Sequence, residues 1–184
     1  MKKKATTSKI KPWRALPRRL VFTGHNRQVE KVVFRLPDGR SSDFYIKVEK
    51  SPVCVVALTK DKKVILVEQY RPGPGRVLLE LPGGGLDKGE SPRQAAAREL
   101  REETGYKGRL RFVGRAYDSP YASSFHYCFV ATDCRKVGEQ ELDEGEFAAV
   151  RLVPLRRFRT LMRKGNMTNM GLAYQGLDYL GLLT

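Results

Sequence analysis

The sequence predicts an α/β protein in which a mixed sheet carries helices and is preceded by a small antiparallel β subdomain. Three observations carry this reading. Short alternating apolar segments flank a Pro37-Asp38-Gly39 turn within the first fifty residues. A continuous apolar run, Val53-Cys54-Val55-Val56-Ala57-Leu58, then marks a strand buried on both faces. Helical spacing of apolar side chains recurs at 92–104, 154–164 and 169–182, between further strand-like runs.

Taken in order, residues 1–17 read as a basic tail. Residues 1–29 contain no Asp or Glu but hold Lys2, Lys3, Lys4, Lys9, Lys11, Arg14, Arg18, Arg19 and Arg27. Such a stretch reads as a solvated tail, with contact to nucleic acid or polyphosphate, or an organellar targeting segment, as the alternatives. Strands are expected at 18–23, 28–36 and 43–50, the last with Phe44, Ile46 and Val48 alternating against Tyr45, Lys47 and Glu49. These form an antiparallel subdomain over 18–50. The breaker Ser51-Pro52 opens a second domain over 51–184. Its strands are expected at 53–58, 64–70, 77–81, 110–118, 125–132 and 147–153.

The helix at 92–104 is specified locally. Ser91 is a good N-cap, Pro92 suits the first helical position, and Gln94 completes a capping box. Strong helix formers follow, and Gly105 is the natural stop. After Pro154, Leu155, Phe158, Leu161 and Met162 form an apolar stripe opposite Arg156, Arg157, Arg159 and Arg163, which read as a solvated face.

Composition narrows the class. A chain of 184 residues can bury a sizeable core. With 41% hydrophobic residues and no apolar run long enough to span a bilayer, no membrane association is expected. Cys54, Cys128 and Cys134 lack metal-ligand spacing, so free thiols in a reducing, cytoplasmic setting are expected. The net charge of +15 would steer an anionic substrate.

The chemistry concentrates at residues 81–106. Glu99 lies three residues before Glu102 and four before Glu103, so three carboxylates share one helical face and repel by a few tenths of a kcal/mol per pair. Arg98, four residues before Glu102, is a local partner, but one guanidinium does not neutralise them all. A hard divalent cation would, because Mg²⁺ takes carboxylate oxygens, waters and phosphates. The run Gly83-Gly84-Gly85 lets backbone approach an ion or ligand closely.

Gly84, Glu90, Arg98-Glu99-Leu100, Glu102-Glu103, Gly105 and Tyr106 together resemble the box of the Nudix hydrolases. That resemblance implies an α/β/α sandwich and Mg²⁺-dependent cleavage of nucleoside diphosphates linked to another group, with Mn²⁺ as the alternative ion. Val67-Glu68-Gln69-Tyr70-Arg71-Pro72 and Leu79-Glu80-Leu81-Pro82-Gly83-Gly84 are similar to the branch hydrolysing ADP-ribose and other nucleoside diphosphate sugars, as are Pro120 and the acidic loop Asp143-Glu144-Gly145-Glu146-Phe147. The products would be a nucleoside monophosphate and a sugar phosphate. Gly83 stands where Ala is common in the branch, and Pro120-Tyr121-Ala122-Ser123-Ser124-Phe125 lacks its usual Gly and Glu, which speaks against ADP-ribose as sole substrate.

Residue by residue, the resemblance implies Glu99 and Glu103 as principal metal ligands, joined by the Gly83 carbonyl and Glu102, with Glu90 in support. Arg98 would orient the carboxylates. Arg71 would meet the phosphates and Glu80 the nucleoside or sugar. Glu144 would be the base and Glu146 a further ligand. The branch also implies a homodimer formed through the N-terminal piece, where Trp13, Phe22 and Phe34 are the aromatics available for packing or base stacking. Two other readings stand beside this one. An RNA 5′-end or dinucleoside polyphosphate pyrophosphohydrolase would account for the basic tail. A non-catalytic nucleotide-binding regulator would not need the full acidic set.

Overall fold

A computed structural model describes residues 10–25 and 27–184. The lysines at 2, 3, 4 and 9 of the basic tail lie outside the described residues. The chain divides into two compact units: one runs to Glu49 and includes Ser119–Ser124, and the other comprises Lys50–Asp118 and Phe125–Thr184.

The first unit is a three-stranded antiparallel sheet, β1 (Arg14–Gly24), β2 (Arg27–Arg35) and β3 (Ser41–Lys47), in that order. The Pro37-Asp38-Gly39 turn joins β2 to β3, with Gly39 at φ 86°, where a side chain would be strained. β1 begins four residues before the expected strand. Pro17 hides it, since proline in a strand is tolerated only at edges and bulges; β1 is an edge strand, and its register slips between Ala15 and Arg18. Trp13, Phe34 and Phe44 pack with ring centroids 5.5–6.2 Å apart, and Tyr121 stacks on Phe44 at 6.3 Å. Residues 121–123 cover the end of β3, with the Lys47 amide donating to the Tyr121 carbonyl at 2.8 Å. Phe22 is exposed.

The second unit is built on a six-stranded mixed sheet. It contains β4 (Val53–Thr59), β5 (Lys63–Arg71), β6 (Arg76–Glu80), β7 (Tyr106–Tyr117), β8 (Phe125–Lys136) and β9 (Ala148–Pro154). The order is β6-β5-β4-β8-β7, with β9 on the other side of β5. β4 and β8 run parallel and the remaining pairs antiparallel. The unbroken apolar run of β4 has a simple cause. Val53, Val55 and Ala57 face α1 (Pro92–Thr104) through Ala95, Ala96 and Leu100, while Cys54, Val56 and Leu58 face α2 (Leu155–Lys164) and α3 (Met170–Tyr179) through Phe158, Met162, Leu172 and Leu177. Two faces, each covered by helix, give the α/β/α sandwich.

β7 and β8 each exceed the expected strand by four residues at the Tyr106↔Lys136 end. Their charged ends lack the apolar alternation that marks a strand, and Asp133 at φ 53° shifts the register there. α3 stops at Leu180, because Gly181 turns left-handed at φ 65°. The three cysteines are free and buried. No helix among the described residues is long and apolar enough to cross a membrane.

Candidate active site

The site is assembled from a glycine loop, one helix and two strand ends. Residues 82–84 run beside the start of β4, with the Val55 amide donating to the Pro82 carbonyl and the Val53 amide to that of Gly84, both at 2.9 Å. Gly83 has φ 155°, and a Cβ there would overlap the Val53 carbonyl. A Cβ on Gly84 would overlap the Glu99 carboxylate. Gly83 thus leaves no room for a side chain against the backbone of β4, and a side chain at Gly84 would have to displace the Glu99 carboxylate. Gly84→Ala is accordingly expected to lower kcat/KM at least tenfold by displacing Glu99, with Tm falling only a few degrees; unchanged kinetics would show that Glu99 moves aside freely.

α1 presents that face as its local sequence dictates. The Ser91 hydroxyl accepts from the Gln94 amide and the Gln94 side chain returns to the Ser91 amide. Gly105 ends the helix at φ 73°. Ala95, Ala96 and Leu100 bury one side, which turns Arg98, Glu99, Glu102 and Glu103 towards the glycine loop and the residues after β8. The Gly83 amide donates to Glu103 Oε2 at 2.7 Å.

Arg98 is the hub of the acidic face. Its Nε and Nη2 bond both oxygens of Glu90 at 3.0 Å, its Nη1 bonds Glu99 at 2.9 Å and Glu102 at 3.1 Å, and Nη2 also meets the Gly85 carbonyl at 2.9 Å. All five guanidinium donors are therefore committed within the protein. Arg98 orients carboxylates and has no donor left for a substrate. Hydrogen bonding to Glu90, above all, holds the pKa of Arg98 above the ordinary arginine range, and Arg98 in turn lowers the pKa of Glu90.

The remaining carboxylates are under electrostatic strain. Burial raises the pKa of Glu99 against the opposing effect of Arg98, and Glu102 and Glu146 raise it further. Glu103 is pushed up to about 8, first by burial, with the Gly83 amide opposing and Glu99 and Glu146 adding; Arg71 pulls it down. Glu146 thus lies within electrostatic reach of Glu99 and Glu103, and it also lines an open hollow with Glu68, Leu142 and Phe147. Glu144 is exposed on the same turn and makes no hydrogen bond or ion pair among the described residues.

Glu80 is fully buried, unlike an ordinary carboxylate at a pocket wall. Its Oε2 accepts from Arg71 Nε at 2.5 Å and Gln69 Nε2 at 2.9 Å, and its Oε1 from the Thr168 hydroxyl at 2.5 Å. The two residues expected to meet substrate therefore hold each other, and Arg71 alone of the pair remains half-exposed. Thr168 and Gln140 had no signal in the sequence. Gln140 Nε2 donates to the Glu103 carbonyl at 2.7 Å and the Ala148 carbonyl at 3.3 Å, tying the end of α1 to β9.

Among the described residues no group of three acidic, His or Cys side chains stands in a ready-made metal arrangement. Arg98 bonds Glu99 and Glu102, and the Gly83 amide bonds Glu103. The donor set still fits a hard divalent cation. It offers only oxygen ligands, and burial and the neighbouring carboxylates raise the pKa of both Glu99 and Glu103, an unfavourable arrangement of charge that a cation would relieve.

Comparison with known proteins agrees with this construction. The NUDIX domain matches residues 49–170. The chain is 34% identical over 165 residues to an ADP-ribose pyrophosphatase of Bacillus subtilis (strain 168), covering 88% of this chain and 89% of that one. It is 46% identical over 88 residues to an ADP-sugar pyrophosphatase of Mus musculus, covering 48% and 38% respectively. A crystal structure described as an ADP compounds hydrolase superposes with a TM-score of 0.78 at 25% identity, covering 96% of this chain and all of that one.

Proposed function

The chain belongs to the Nudix family and is a pyrophosphatase of that family, and from this premise we propose that it hydrolyses the pyrophosphate bond of nucleoside diphosphate sugars of the ADP-ribose, ADP-glucose and GDP-mannose type. The products are a nucleoside monophosphate and a sugar phosphate. The observation that carries the reading is the acidic face fixed by Arg98 against the glycine loop, with Arg71 close enough to act on Glu103. The relatives named for ADP-ribose and ADP-sugars support the substrate class.

Glu99 and Glu103, with Glu102 and the Gly83 carbonyl, would hold Mg²⁺, and Mn²⁺ is the alternative ion. When bound, the ion offsets pyrophosphate charge and lowers the pKa of a coordinated water. Arg98 keeps Glu90, Glu99 and Glu102 in register, so that the face is organised before substrate arrives. Arg71, braced by Glu80, neutralises phosphate oxygens as charge develops in line with the attacked phosphorus. Glu80 reaches the substrate through Arg71. On the 143–147 loop, Glu144 takes the proton of the attacking water and Glu146 adds a ligand to the face. The reading includes a cytoplasmic enzyme. It also includes a homodimer formed through the first unit, whose Leu20 and Phe22 are exposed; sedimentation at micromolar concentration showing only a monomer of 20.9 kDa would remove the dimer.

Chromatographic product analysis with Mg²⁺ tests the central reading. ADP-ribose, ADP-glucose and GDP-mannose are expected to give nucleoside monophosphate and sugar phosphate, the relative rates ranking the sugars. If only a dinucleoside polyphosphate or a 5′-triphosphate RNA is cut, the sugar-nucleotide reading fails.

A further inference from the structure

The charge excess of the chain is not absorbed by its catalytic face, and the strand register gathers part of it at one end of the second unit's sheet. Thr59, last in β4, pairs with Cys134 of β8, which places Lys60 beside Arg135, and Arg135 faces Lys107 of β7. On the other side, Lys63 faces Pro154, which leads directly into Arg156 and Arg157 at the start of α2. Lys62 sits in the turn between β4 and β5. Lys60, Lys62, Lys107, Arg135, Arg156 and Arg157 are all exposed, and none has an ion pair among the described residues. The acids within these segments are already taken, Asp61 by Lys63 and Asp133 by Arg109.

Fold stability does not explain the arrangement. Like charges on neighbouring strands repel. Arg156 and Arg157 stand in the first turn of α2, which has no acidic residue and no side-chain cap, where the helix dipole disfavours cations. The rim crosses five strand lanes, about 19 Å at the usual strand spacing, or roughly five phosphate steps along a nucleic-acid strand. Its segments carry no exposed aromatic to stack on a base, and the exposed aliphatic side chains nearest to it, Val137 and Leu152, stand singly, too little apolar surface to enter a lipid layer. What they offer is a row of cations.

We propose that this rim is a docking surface for the phosphate backbone of nucleic acid, bound without sequence preference and separately from the pyrophosphatase site. Lys63 and Arg71 are the two ends of β5, about 27 Å apart at the rise of an extended strand. One protein could then hydrolyse small nucleotides while attached to RNA or DNA.

The test is anisotropy titration of the full chain with a fluorescein-labelled RNA of about 20 nucleotides bearing a 5′-hydroxyl, between about 50 and 200 mM salt. A Lys60→Glu, Arg135→Glu, Arg156→Glu, Arg157→Glu variant is expected to bind at least tenfold more weakly. Its log K against log salt slope should flatten by about 3, while Tm and ADP-ribose turnover are retained. The corresponding four-Gln variant should fall between the two and serves if the Glu variant folds poorly. The proposal is overturned if the full chain does not bind this RNA, if the variants bind as tightly as the parent, or if removal of residues 1–9 alone abolishes binding. It is equally overturned if ADP-ribose displaces the RNA, which would place it in the catalytic cleft, or if anionic phospholipid vesicles bind at the rim and RNA does not.

Discussion

Glu103→Gln should lower kcat for nucleoside diphosphate sugar hydrolysis by about three orders of magnitude, the loss expected when several kcal/mol of charge stabilisation leaves a metal-assisted site. The same substitution should make the metal-free protein more stable at alkaline pH. Glu103 titrates near 8 in the fold against an ordinary 4.5, because burial and the neighbouring Glu99 and Glu146 oppose its charge. The folded protein therefore keeps a proton that the unfolded chain gives up between about pH 4.5 and 8. Stability contributed by that proton is complete below 4.5 and lost as pH rises through 8. Gln carries no charge and removes this dependence. Without divalent metal, the variant should melt above the parent at pH 9, by an amount on the order of a few kcal/mol, and alongside it at pH 4. Cation binding to the parent should release a proton near neutrality and tighten up to about pH 8, readable by calorimetry in buffers of different ionisation enthalpy. A Gln variant that retains kcat within a few-fold under saturating Mg²⁺ would remove Glu103 from the site.

That two-sided expectation rests on features with different visibility in the sequence. The helix bearing Glu103 is specified by neighbours a few residues away, Ser91, Pro92, Gln94 and Gly105, so its ends and its acidic face were legible before any contact was known. The burial that moves the acidity of Glu103 was not legible, since it depends on residues 82–84 lying against β4 and on Gln140 reaching back from beyond β8. Distance along the chain sets the limit in each case. Glu80 and Thr168 are separated by 88 positions, and no local pattern announces their hydrogen bond. Glu80 stands in a motif that resembles a substrate contact, and the three hydrogen bonds it accepts from Gln69, Arg71 and Thr168 become visible only when the fold brings these residues around it. β1 illustrates a different obstacle. Pro17 contradicts strand propensity locally, and only the edge position and the bulge at Ala15–Arg18 make it tolerable.

Arg98→Ala should separate organisation of the acidic face from the chemistry performed on it. Arg98 makes no contact that a substrate could use, since its five donors go to Glu90, Glu99, Glu102 and the Gly85 carbonyl. Its removal leaves Glu99 and Glu102 facing each other without a counter-charge and takes away the Gly85 tie of the glycine loop, the Gly83 amide remaining on Glu103. Activity is expected to fall 10- to 100-fold, the usual consequence of losing a group that orients metal ligands, and stability by about 2 kcal/mol for a partly shielded ion network. Raised Mg²⁺ should recover part of the activity, because a divalent cation supplies the charge that the guanidinium provided. Arg98→Lys discriminates further. An ammonium restores the charge but not the planar fork that grips both oxygens of Glu90 while reaching two other carboxylates, so its activity should lie nearer to Ala than to the parent. If Lys instead matches the parent, net charge and not geometry is what the acidic face requires. If both variants keep full kcat and Tm, the carboxylates are held by the glycine loop alone.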